Sequence, residues 1–69
     1  MSEIEIKVNS KKEAEKILSN VYQKDNSATW AGADAVSGSV LTAQYDDEKG
    51  IVRIYSNYYA QYSLEEIFL

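Results

Sequence analysis

The residues whose types and spacing could do chemistry are carboxylates in the second half of the chain. Asp46, Asp47 and Glu48 follow one another directly, and Glu65 and Glu66 form a second group. Neighbouring carboxylates can act as acid and base when burial tunes their pKa values. The first group falls in a predicted solvated turn, and the second on consecutive helical positions whose side chains diverge. We therefore expect neither group to be catalytic.

Other common site chemistries lack their residues. The sequence contains no His and no Cys, which excludes Ser-His and Cys-His nucleophiles and zinc sites built on imidazole or thiolate. The acidic residues lack the regular ligand spacing of a calcium loop. Gly32 and Gly38 are too far apart for a phosphate-binding loop, and no Lys-Ser or Lys-Thr pair follows them. We expect a protein that is not an enzyme and that holds no metal or cofactor.

The charge is unevenly distributed along the chain. Seven Lys and Arg residues against eleven Asp and Glu residues give a net charge of −4. Residues 1–24 hold five bases and four acids, a net charge of +1, whereas residues 25–69 hold two bases and seven acids, a net charge of −5. The acidic part should repel nucleic-acid phosphates and attract basic protein surfaces. An alternative is that the modest negative charge only keeps a small protein in solution.

The elements that would position the acidic residues can be predicted from periodicity. Residues 3–8 alternate between charged and apolar side chains, which indicates a strand. Ser10 and Glu13 have the spacing of a capping box. Apolar residues then recur with helical spacing and predict a helix over residues 11–23.

The acidic trio is predicted to lie at the tip of a β-hairpin. Residues 40–45 and 51–55 form the two strands, and Gly50 allows the positive φ that a short turn requires. Residues 58–62 could add a strand, and residues 64–68 resemble a short helical turn started by Ser63 and Glu66. The chain should be one α+β domain of 69 residues, with a small antiparallel sheet of three to four strands and one main helix packed on one face.

The alanine-rich segment between these elements is harder to interpret. Its composition favours a short helix from Trp30 to Ser37, ended by Gly38 in a left-handed conformation. Gly32 disfavours that helix, and an irregular loop or a strand is the alternative. Trp30 is the only tryptophan, and we expect it to complete the small core, although an exposed anchor for a partner is also possible. Tyr22 should lie at the edge of the core with its hydroxyl in water.

Tyrosines crowd the same half of the chain as the acids. Five fall within eighteen residues, namely Tyr45, Tyr55, Tyr58, Tyr59 and Tyr62. Tyrosine offers a large contact area at a low entropic cost and is frequent in protein interfaces. Some of these residues should complete the core, and the others should line a binding surface.

A short, acidic, cysteine-free α+β chain with a second half rich in carboxylates and tyrosines resembles the small phage-encoded anti-CRISPR proteins that mimic DNA. The resemblance covers the whole chain in size and charge and includes no diagnostic motif. It implies an inhibitor that occupies a Lys/Arg-lined nucleic-acid site on a CRISPR effector subunit. The net charge of −4 and the lysine-rich first helix are less acidic than a strong DNA mimic would be.

We therefore expect a non-enzymatic, cytoplasmic protein, a monomer or homodimer, that binds a basic partner surface and neither nucleic acid nor membrane directly. The sequence shows no secretory signal and no long apolar run. The candidate partner-binding residues are Asp34, Asp46, Asp47, Glu48, Tyr58, Tyr59, Glu65 and Glu66. The alternative is a structural or regulatory module, antitoxin-like or self-associating through its tyrosines.

Overall fold

A computed structural model describes residues 3–30, 34–56 and 64–68. In these residues the chain has an α+β fold with five strands and two helices, so the predicted class is confirmed and the expected three to four strands are too few. The elements in chain order are β1 (Glu3–Lys7), α1 (Lys11–Lys24), β2 (Thr29–Trp30), β3 (Ala35–Ser37), β4 (Leu41–Asp46), β5 (Ile51–Ser56) and α2 (Leu64–Phe68).

The five strands form one antiparallel sheet in the order β1-β5-β4-β3-β2. The four strands β2 to β5 are therefore neighbours in chain order, whereas β1 pairs with β5. Directly paired residues of antiparallel strands point to the same face. One row of such residues crosses all five strands and consists of Ile4, Ile54, Ala43, Val36 and Trp30.

This row lies on the face that carries the core. α1 lies against β3, β4 and β5, and its Ala14, Leu18 and Val21 belong to the same buried cluster as Ile54 of the sheet. Leu64 of α2 belongs to that cluster as well. Within the part of the chain that the structure describes, neither helix is long and apolar enough to cross a membrane.

The N-terminus of α1 is capped as the sequence predicts. The Ser10 hydroxyl accepts a hydrogen bond from the Glu13 N–H at 3.3 Å. The Glu13 carboxylate reaches back one residue further than expected and accepts from the Asn9 N–H at 3.1 Å. Both bonds satisfy backbone donors around the first turn, so the end of β1 and the start of the helix are fixed together.

Asp25 joins the other end of α1 to the turn between β3 and β4. Its carboxylate accepts hydrogen bonds from the N–H groups of Val40 and Leu41, at 2.8 and 2.9 Å. It also accepts from the N–H and the hydroxyl of Ser27, at 3.0 and 2.6 Å. Burial by itself raises the pKa of Asp25, but these hydrogen bonds outweigh it and lower the pKa from 3.8 to about 2. The carboxylate is thus a structural anion that links two loops.

The same carboxylate explains the glycine at position 38. A Cβ atom placed on Gly38 would overlap the Asp25 side chain and would lie 3.0 Å from the Leu41 carbonyl oxygen. We predict that Gly38→Ala destabilises the fold by about 1–3 kcal/mol, the usual cost of forcing atoms into a packed site. Urea unfolding followed by circular dichroism measures this loss. A loss below about 0.5 kcal/mol, the usual limit of a surface substitution, would contradict the predicted overlap.

The prediction of a helix from Trp30 to Ser37 is wrong. The strand alternative is observed at the two ends of this segment, in β2 and β3. Trp30 pairs with Val36 and Thr29 pairs with Ser37, which places these residues in two strands. Helix propensity is a weak preference that tertiary pairing overrides. Gly38 does not adopt the left-handed conformation that a helix end would need; of the glycines that the structure describes, Gly50 alone has a positive φ.

The expected core position of Trp30 is also wrong. Its side chain lies at the border of the core-bearing face because β2 is an edge strand, and it remains 43% exposed. The predicted strand over residues 58–62 and the cap at Ser63 lie outside the described residues.

Candidate acidic cleft

The hairpin tip holds the acidic trio in a defined turn. The Asp46 carboxylate accepts hydrogen bonds from the N–H groups of Glu48 and Lys49, at 3.1 and 3.2 Å. The Asp46 carbonyl accepts from the Gly50 N–H at 2.9 Å, and Gly50 has a φ of 65°, as predicted. Asp46 therefore shapes the turn, whereas the side chains of Asp47 and Glu48 are exposed.

A cleft of about 210 Å³ opens beside this turn. Six residues line it, namely Gln44, Tyr45, Asp46, Asp47, Glu48 and Arg53. Three of the six are acidic and one is basic. Since a pocket for a drug-sized ligand usually measures about 300–1,000 Å³, the cleft fits a single side chain better than a cofactor.

Arg53 is held by two acids of the neighbouring strand. Its Nε lies 3.3 Å from a carboxylate oxygen of Glu3, and its guanidinium donates to Glu5 from Nη2 at 3.2 Å. Glu5 pairs directly with Arg53 across β1 and β5, so the contact follows from the sheet register. The two carboxylates offset the one cation of the cleft, which leaves this end of the sheet acidic.

Asp34, the residue that precedes β3, lies at the same end of the sheet. Its carbonyl accepts a hydrogen bond from the Tyr45 N–H at 2.9 Å, next to Asp46 at the end of β4. Its carboxylate lies 3.6 Å from the Lys11 ammonium, an exposed ion pair. Its Oδ1 is itself buried and accepts no hydrogen bond within the described residues, so the Lys11 contact is an electrostatic one. The backbone of Asp34 thus lies beside the end of β4, whereas its carboxylate pairs with Lys11 and does not line the cleft.

Two further predicted site residues, Glu65 and Glu66, do not line the cleft. Glu65 and Glu66 are exposed on α2, which packs against β1 and β5. Tyr58 and Tyr59 lie outside the described residues. Within the described ranges, no group of three or more His, Cys, Asp or Glu side chains is placed to hold a metal ion.

Sequence reasoning missed the contribution of the first strand to this end of the sheet. The alternation of residues 3–8 predicts a strand that carries Glu3 and Glu5, but it does not show which strand pairs with it. The single arginine at an outward position of β5 is a sequence signal for this contact. Opposite charges on directly paired residues of neighbouring strands stabilise a sheet, so acidic residues are expected on the strand that pairs with β5. The identity of that strand is a property of the topology.

No protein-family model matches the sequence, and the searches of curated proteins and of solved structures found no match. The functional proposal therefore rests on the geometry and the charge of the chain itself.

Proposed function

We propose that this protein is a non-enzymatic inhibitor of the anti-CRISPR type, which binds the basic nucleic-acid site of a host defence complex in the cytoplasm. The observation that carries the proposal is the acidic cleft at the hairpin tip, where the exposed Asp47 and Glu48 project beside the turn made by Asp46. Glu3 and Glu5, which hold Arg53, add to the negative charge near the cleft.

The proposed mechanism is substitution of carboxylates for phosphates. A nucleic-acid groove presents cations that normally contact a phosphate backbone, and Arg binds carboxylate and phosphate with the same fork of N–H donors. Asp47 and Glu48 would make these contacts. Asp46 would act indirectly, because its carboxylate holds the N–H groups of Glu48 and Lys49 and so fixes where the tip points.

The bases of α1 oppose this mechanism less than their number suggests. Lys11 is paired with Asp34 at 3.6 Å, which reduces the positive field near the tip. Lys24 belongs to the last turn of α1, where a cation interacts favourably with the helix dipole.

Competition with DNA is the experiment that tests the proposal. The protein is immobilised and exposed to host lysate at about 50 mM and about 300 mM salt, between which the Debye length falls by more than half. Partners bound through mimicry should be released both by the higher salt and by added double-stranded DNA at low salt. Capture that survives both treatments would contradict the proposal.

A further inference from the structure

One edge of the sheet is long and regular. β1 is the first strand in the order of the described sheet, so no strand of that sheet pairs with its outer side. It pairs with β5 over five consecutive residues, Glu3–Lys7, without a bulge, and the sequence contains no proline. The opposite edge strand, β2, has only two residues. Because an extended edge strand is a template for a further strand, β1 is the edge that can accept one.

The backbone groups on the outer side of β1 can be identified from the ladder. The Val8 N–H donates to the Gly50 carbonyl at 2.9 Å, and this pair continues the register between β1 and β5. Hydrogen-bonded and non-bonded pairs alternate along an antiparallel ladder, so the even-numbered residues of β1 bond to β5. The N–H and C=O groups of the odd-numbered residues therefore point away from the sheet, and these residues are Glu3, Glu5 and Lys7.

The side chains of β1 are complementary to a second copy that runs antiparallel. With Ile6 opposite Ile6 of the second copy, Glu5 lies opposite Lys7 in both directions. Opposite charges on directly paired residues stabilise a sheet, and these two residues carry the outward backbone groups that such pairs need. On the core-bearing face, Ile4 lies opposite Val8 of the second copy. Ile6 and Val8 are only partly buried in one chain, so the pairing removes more of their apolar surface from water.

The charges of the chain are compatible with this pairing. Arg53 donates to Oε2 of Glu5, so the other carboxylate oxygen can accept from Lys7 of the second copy. The acidic hairpin tip adjoins the carboxyl end of β1, because Gly50 accepts from the Val8 N–H. Antiparallel strands place their carboxyl ends at opposite ends of the contact. The two acidic tips therefore point away from each other, which limits their repulsion.

We propose that β1 pairs with β1 of a second copy, which joins two sheets of five strands into one continuous sheet. The contact is two-fold symmetric, with the axis between the two Ile6 residues. The inference goes beyond the proposed function and does not depend on it, because the contact uses neither the acidic tip nor a host partner.

Amide hydrogen exchange followed by NMR tests the pairing residue by residue. At about 50 μM protein the Glu5 and Lys7 amides should exchange fast, whereas β5 protects the Ile4 and Ile6 amides. At about 1 mM, where even weak association is populated, exchange at Glu5 and Lys7 should slow several-fold, and sedimentation should show a dimer.

Three outcomes of these measurements would overturn the inference. The first is a monomer at both concentrations. The second is a dimer without slower exchange at Glu5 and Lys7, which would indicate contact through another surface. The third is slow exchange of these two amides at both concentrations, which would mean that the chain itself covers the edge.

Variants of Lys7 separate the edge contact from the net charge. Lys7→Glu places like charges opposite each other twice and should weaken dimerisation by about 10-fold. Lys12→Glu makes the same exchange at an exposed position of α1 and should leave dimerisation within about 2-fold of the wild type. Equal weakening by both variants would contradict the edge contact.

Two further variants separate the edge from the fold and from the tip. Lys7→Pro removes an outward N–H without removing a bond to β5, so it should prevent dimerisation while circular dichroism still shows a folded chain. The tip variant Asp47→Lys/Glu48→Lys should dimerise as the wild type does. If host capture proves independent of the tip while the dimer forms, the proposed function fails alone. If the tip governs capture by a protein that stays monomeric, the edge contact fails alone.

Discussion

Replacing Asp25 with alanine is expected to destabilise the protein by about 3–5 kcal/mol, the range for removing one partner from a buried charged network. The substitution removes the acceptor for the N–H groups of Val40, Leu41 and Ser27. The Leu41 N–H is buried, and a buried donor left without a partner costs about 1–3 kcal/mol. A domain of 69 residues has little stability in reserve, so the variant should be largely unfolded.

Urea unfolding followed by circular dichroism measures this effect. Asp47→Ala is the matched control, because it removes the same carboxylate from an exposed position, and it should change stability by less than about 0.5 kcal/mol. Asp25→Asn should fall between the two, since the amide keeps one acceptor oxygen. If Asp25→Ala lowers the free energy of unfolding by less than about 1 kcal/mol, the carboxylate does not hold the two loops together.

The same residue predicts a dependence of stability on pH. The folded pKa of Asp25, about 2, lies below its ordinary value of 3.8. The native state therefore favours the ionised form, and this contribution to stability is present above pH 4 and is lost as the pH falls from about 4 to 2. The loss should be on the order of 1–2 kcal/mol. Denaturation at several pH values tests it, and the Asp25→Asn variant should lack this component.

Reversing the charge of Asp47 and Glu48 to Lys is expected to weaken partner binding by on the order of 10- to 100-fold at low salt, because attraction becomes repulsion at a complementary surface. Asp46 is left unchanged, since its carboxylate shapes the turn and its loss would confuse an effect on folding with one on binding. The thermal midpoint of the double variant should match that of the wild type. The measurement is the affinity for the captured partner at two salt concentrations.

Glu65→Lys is a matched control for Glu48→Lys. Both are exposed glutamates that undergo the same exchange, and Glu65, on α2, is not one of the residues that line the cleft. If binding depends on the tip, Glu48→Lys should weaken it several-fold more than Glu65→Lys. Equal effects would mean that the net charge of the chain, and not the cleft, attracts the partner.

Much of the fold could be predicted from the sequence because its signals are local. Alternation in residues 3–8, the cap at Ser10 and the helical spacing of Ala14, Leu18 and Val21 are each satisfied within one element. Gly50 takes the positive φ that the turn requires. The segment around Trp30 could not be predicted in this way, since its strands exist only through pairing with β4 and with each other.

The sequence by itself determined that the chain is acidic, that it lacks His and Cys, and that Asp46, Asp47 and Glu48 lie together on a tight turn. Only the tertiary structure decided which of these acids is exposed and which other charges lie nearby. The pairing of β1 with β5 brings Glu3 and Glu5 to Arg53. The edge position of β2 leaves Trp30 in water beside Tyr22. The physical reason is that residues distant in sequence share a surface only after strand order and register are fixed, and no local pattern encodes either.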